Sequence, residues 1–167
     1  MKKVNIKTVK SIVFIIQIIA MLAGFIYACK PDSNGGDTTK NFQYINHYLD
    51  WTKQVFIFKV CVHNYTLSIL QACLSFFSFG VIGILFLFND FYIYGLVFKY
   101  INSGFLFLVF EILGTIISIL FSTHLCFEVA AGKINLKRCA QELFYCLLIN
   151  FMIFFIAAQL EANIIFE

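Results

Sequence analysis

From Gly104 to Ser122 the chain reads Gly-Phe-Leu-Phe-Leu-Val-Phe-Glu-Ile-Leu-Gly-Thr-Ile-Ile-Ser-Ile-Leu-Phe-Ser, with one charged residue, Glu111, inside it. A run of this length and apolarity can cross a bilayer as a helix. A carboxylate near the centre of such a helix costs about 2.5–3.5 kcal/mol on insertion scales, so it turns toward a partner helix or a wet cavity. That single position restricts the fold to packed membrane helices and marks one place where chemistry could sit.

The rest of the chain agrees. It is 61% hydrophobic and 13% charged, against about 45–50% apolar and about 25% charged residues in soluble domains. The net charge of +3 is spread over short segments. No basic stripe stands clear of the apolar runs, which argues against nucleic-acid binding. Six cysteines show no C-x-x-C and no zinc spacing. Cys29 and Cys61 flank the one sizeable loop, so a disulfide between them is open.

The sequence predicts an all-α integral membrane bundle of about five spans in one membrane domain over residues 1–167. The first covers Ser11–Cys29 and follows Lys2, Lys3, Lys7 and Lys10. At about 19 residues it is long for a signal-peptide core, which favours a retained helix. A polar loop with Pro31 and Gly35-Gly36 follows. Phe42–Phe58, with Tyr44, Tyr48 and Trp51 at helical spacing, reads as an amphipathic helix on the outer membrane surface. The apolar region Tyr65–Ile101 is too long for one helix, and Asn89-Asp90 is the natural hinge. This gives Tyr65–Phe88 and Phe91–Ile101, the latter starting earlier near Ile84 or re-entering. The turn Asn102-Ser103-Gly104 precedes a span over Phe105–Phe127, and the last span covers Leu143–Leu160. Basic residues favour the cytoplasmic side. Lys133, Lys137 and Arg138 therefore place the N-terminus inside and the loop 30–58 outside.

Each span carries one polar or small stripe. Glu111, Thr115, Ser118, Ser122 and Cys126 recur at intervals of three or four, with Gly114 alongside. Gln17, Ala20, Gly24 and Ala28 do the same in the first span; Ser68, Ala72 and Ser75, with Gln71 beside them, in the second; Glu142, Cys146, Asn150, Ala157 and Glu161 in the last. Small residues let membrane helices approach and hydroxyls bridge them. The stripes are either packing seams, with Glu111 a structural group, or the lining of a functional path. Asn89, Glu111 and Glu161 are expected inside the bundle or at a partner interface. Catalysis finds no support: there is no H-E-x-x-H and no phosphate loop, and His47, His63 and His124 have no ligand spacing. No metal or cofactor is implied.

The order of several residues resembles the stage II sporulation protein M family of bacterial membrane proteins. The resemblance rests on Asn64, Gly80 and Gly83, Phe88-Asn89 with Gly95, Phe110-Glu111, and Leu160-Glu161. Asp90 stands where that family usually has Gly, and Leu106-Phe107-Leu108 stands where Pro-His-Gly usually precedes the Glu helix. The resemblance implies a noncatalytic, permease-like or scaffold subunit in the bacterial cytoplasmic membrane. It would belong to a peptide-export or bacteriocin-associated complex with an ABC-type ATPase. A septal scaffold recruiting peptidoglycan hydrolases is an alternative, and a small ion- or proton-coupled carrier built on Glu111 is another. The implied polar seam is Asn64, Asn89, Gly95, Glu111, Ser118 and Glu161. The expected partners are membrane lipid and other membrane proteins or further copies of the chain, with no nucleic acid.

Overall fold

The computed structural model describes residues 5–30, 52–100 and 106–166. They form five helices: α1 (Ile6–Ala28), α2 (Lys53–Phe77), α3 (Val81–Tyr100), α4 (Leu106–Ala130) and α5 (Leu136–Phe166). Each is long and apolar enough to cross a membrane. No strand occurs among the described residues, so the fold is an all-α bundle.

Local signals set the helix ends. Asn5 caps α1 by accepting the Lys7 N–H at 3.1 Å. Thr52 stands at the N-cap of α2, and Asn135 Oδ1 accepts the Arg138 N–H at 2.8 Å at the start of α5. Two helices close with the same C-terminal device, a left-handed residue followed by a backbone bond that reaches back five positions. After α4 the left-handed residue is Gly132 (φ 68°), and Lys133 N–H donates to Glu128 C=O at 3.0 Å. After α2 it is Phe79 (φ 53°), and Gly80 N–H donates to Ser75 C=O at 2.7 Å. A phenylalanine in that conformation costs about 1–2 kcal/mol. Its ring packs edge-on against Phe127 at 5.6 Å.

This turn corrects the expected hinge. The region 65–101 breaks at Ser78–Gly80, and α3 runs unbroken through Asn89 and Asp90. Asp90 can stay within a helix because Gln71 supplies it a hydrogen bond from α2. With the break moved back, the third helix is long enough to span. The expected surface helix over Phe42–Phe58 is also revised at its end, since residues 53–58 are the start of α2. Its residues 42–51 lie outside the described ones, as does the Asn102–Gly104 turn. Cys29 and Cys61 are free thiols, the first exposed and the second buried, so no disulfide joins them.

The helices fall into two groups. α1 packs chiefly on α3, while α2, α4 and α5 pack on one another; fewer contacts join the groups. Close approach within the first group depends on glycine. A Cβ at Gly24 would sit on the Phe88 carbonyl oxygen and lie 3.1 Å from Tyr92 N, and one at Gly95 would lie 2.7 Å from Ala28 Cβ. In the second group, a Cβ at Gly114 would strike the Phe154 ring at 2.7 Å. The small and polar stripes form the inside of the bundle. Gln17, Ala20, Gly24 and Ala28 are buried, as are Ser68, Gln71, Ala72 and Ser75, and Thr115, Ser118, Ser122 and Cys126. Large apolar side chains such as Ile15, Ile19, Leu70, Leu85 and Phe144 face outward, as they would toward lipid.

Candidate functional site

A polar cleft opens where α3 meets α2 and α4. Its volume is about 230 Å³. Helical spacing assembles it from three short sets of residues. α2 contributes Asn64, Leu67 and Gln71; α3 contributes Asp90, Ile93 and Tyr94; α4 contributes Glu111 and Thr115. The Phe154 ring of α5 and His63 complete the lining.

Both carboxylates and both hydroxyls in the cleft are tied to a neighbouring helix. Asn64 Nδ2 donates to Glu111 Oε1 at 2.6 Å. Gln71 Nε2 donates to Asp90 Oδ2 at 2.7 Å. The Tyr94 and Thr115 hydroxyls share a hydrogen bond of 2.7 Å. The two amides stand seven residues apart on one face of α2 and hold one carboxylate each, on two different helices. Each amide occupies one carboxylate oxygen of its partner, and among the described residues no Lys or Arg lines the cleft. It therefore presents two acids without a matching cation, together with the aromatic faces of Tyr94 and Phe154. A proton or a cationic group is the chemistry that such a lining can accept. Among the described residues no group of three or more His, Cys, Asp or Glu could hold a metal ion.

Below the cleft lies a hydrogen-bonded hub. Asn150 of α5 donates to Ser68 Oγ at 2.7 Å and to the Gly114 carbonyl at 3.1 Å. It also donates to Ser118, whose hydroxyl is bonded to Ser68 as well. Asn150 is fully buried, and its Oδ1 has no partner. A second cluster joins the two helix groups: Gln17 Nε2 donates to the Gly80 carbonyl and to Thr123 Oγ1, both at 3.1 Å. Gln17 Oε1 and Ser75 Oγ are buried without partners. Such atoms are usually met by internal water.

The structure brings some of the sequence-derived residues together and separates others. Asn64 and Glu111 are in direct contact at the cleft. Ser118 is in the hub beneath it. Glu161 is half-buried on α5 and within electrostatic reach of Glu111. Gly95 serves the α1–α3 contact instead. Asn89 is exposed and not in the bundle interior, because the next residue, Asp90, takes the inward position on α3. Asp90, Gln71, Tyr94 and Thr115 complete the cleft; spacing placed Thr115 on the Glu111 stripe and Gln71 beside the α2 stripe, but gave Asp90 and Tyr94 no part in it. A second intramembrane acid, one turn before a tyrosine, was the available signal for the α3 contribution. Comparison of the chain with protein-family models, with curated proteins and with solved structures finds no match.

Proposed function

We propose that the chain is a noncatalytic, permease-like membrane subunit whose working centre is the cleft between α2, α3 and α4. The observation that carries this reading is the Asn64–Glu111 hydrogen bond. Two residues on which the sporulation-protein resemblance rests, 47 positions apart, meet in a polar cleft within the apolar bundle. On the resemblance, the assembly is an envelope complex for peptide export or producer self-protection, with an ABC-type ATPase supplying energy. The orientation that goes with it places the N-terminus in the cytoplasm. Affinity purification of the full chain in mild detergent tests the reading. Co-purification of an ATPase or another envelope protein is the expected result, and recovery of a lone monomer under all conditions would count against it.

A second reading is favoured by Asp90. It places a second carboxylate in the cleft on a different helix from Glu111, and intramembrane acids mark paths for protons and ions. Flux into proteoliposomes containing this chain alone separates the two. Flux that falls with Glu111→Gln and with Asp90→Asn supports the carrier, and no flux in either wild type or variants supports the subunit.

A further inference from the structure

At the opposite end of the bundle from the cleft, a second cavity of about 660 Å³ lies between the first turns of α1 and the last turn of α4. Lys7, Lys10 and Lys133 line it, with Glu128 as the one acid among the described residues. Glu128 accepts from Lys10 at 2.7 Å and pairs with Lys133 at 2.8 Å. It thereby holds two ammonium groups from different elements in fixed positions. Lys7 has no such partner among the described residues. Three cations against one anion leave the cavity with an excess of positive charge. The N-terminus of α1 adds to it, since Asn5 and Ile6 also line the cavity and no acid stands in the first turn of that helix. The remaining walls include Ile6, Phe127 and Ala131. The cavity thus has cationic and apolar surfaces side by side, at the ends of helices that can cross a bilayer.

We propose that this cavity is a binding site for the phosphate of an anionic phospholipid, with the acyl chains running along the outward apolar faces of α1 and α4. A basic pocket between membrane helices is suited to a headgroup phosphate. An ammonium group held by a carboxylate keeps two further N–H donors for the phosphate oxygens. Glu128 thus positions Lys10 and Lys133, while Lys7 supplies the unopposed charge. A phosphate free in solution would use the same lysines but would gain nothing from the apolar walls. The site rests on the membrane-spanning architecture alone and is independent of the role proposed for the cleft.

Native mass spectrometry of the purified full chain in mixed micelles tests this, with phosphatidylglycerol and phosphatidylcholine supplied in equal amounts. Preferential retention of phosphatidylglycerol is expected. Lys7→Gln removes a cation without disturbing the Glu128 pairs, and Lys133→Gln removes one that is paired. Each should weaken phosphatidylglycerol retention about fivefold, the effect of one lysine near an anionic headgroup. Lys137→Gln is the control, because Lys137 lies at the same end but lines a different cavity. Equal retention of the two lipids would overturn the proposal. So would a loss with Lys137→Gln as large as with Lys7→Gln, which would mean diffuse surface charge. Displacement of the lipid by millimolar inorganic phosphate would mark a soluble-anion site and would overturn it as well.

Discussion

Gln17, midway along α1, donates its side-chain amide to Thr123 Oγ1 near the far end of α4 at 3.1 Å. The same nitrogen reaches the carbonyl of Gly80 in the turn between α2 and α3. One fully buried side chain therefore ties α1 to α4 and to the α2–α3 turn. Gln17→Ala removes both bonds and leaves a void. A destabilisation of about 1–2 kcal/mol is expected, since hydrogen bonds between membrane helices contribute about 0.6 kcal/mol each on average. Unfolding in mixed detergent micelles measures it, and wild-type stability would show that the contact contributes nothing.

Gly24 and Gly132 should respond differently to alanine. At Gly24 the new methyl would meet the Phe88 carbonyl of α3, so the α1–α3 pair must separate. A loss of about 1–3 kcal/mol is expected from overpacking. At Gly132 nothing lies within 4 Å, and only the positive φ opposes the change. A smaller loss of about 1 kcal/mol is expected there. Thermal inactivation of the two variants side by side checks the ranking.

Glu111→Gln keeps the size of the side chain and an oxygen that can accept from Asn64, but removes the ability to ionise. Normal expression and insertion are expected, and on the function proposed above export or protection should be impaired and partly rescued by Glu111→Asp. Full activity of the Gln variant in a quantitative assay would make Glu111 a packing group. Glu111→Leu is less informative, because it also strands the Asn64 amide.

The orientation proposed above is open to a labelling experiment. Cys29 is exposed at the end of α1 remote from Lys10. In a variant that keeps Cys29 alone, an impermeant maleimide should label intact cells. With Cys29 removed and Asn135→Cys introduced, labelling should need permeabilised cells. Labelling of Asn135→Cys in intact cells would invert the topology.

Much of the interior was legible from spacing. The Gln17–Ala28 stripe and the Thr115–Cys126 stripe are buried as read, because small and polar side chains in a membrane helix have nowhere else to go. The turn at Ser78–Gly80 was not legible. It sits in an aromatic run, and its left-handed Phe79 is held by Phe127 from another helix, a contact that no local pattern contains. Asn89-Asp90 misled for the complementary reason. A polar pair in an apolar run reads as a break unless its partner is known, and Gln71 lies 19 positions earlier on a different helix. The cleft was half legible: Glu111 marked its own importance, but periodicity cannot say which faces of α2 and α3 will stand opposite it.

The pairing of α1 with α3 has a consequence for biogenesis. α2 lies between them in the chain, so α1 leaves the ribosome well before its packing partner exists. At synthesis rates of about 5–20 residues per second, that interval lasts several seconds. Throughout it, the face bearing Gln17, Ala20 and Gly24 has only lipid or the insertion machinery for company. The bond from Gln17 to Thr123 waits longest, because Thr123 is made after the Gly80 carbonyl and after α3 is complete. A nascent α1 held beside the translocon or by a membrane chaperone until α4 emerges would spare that amide from hydrocarbon. This order of assembly leaves the first helix longer without its packing partner than any helix that follows it.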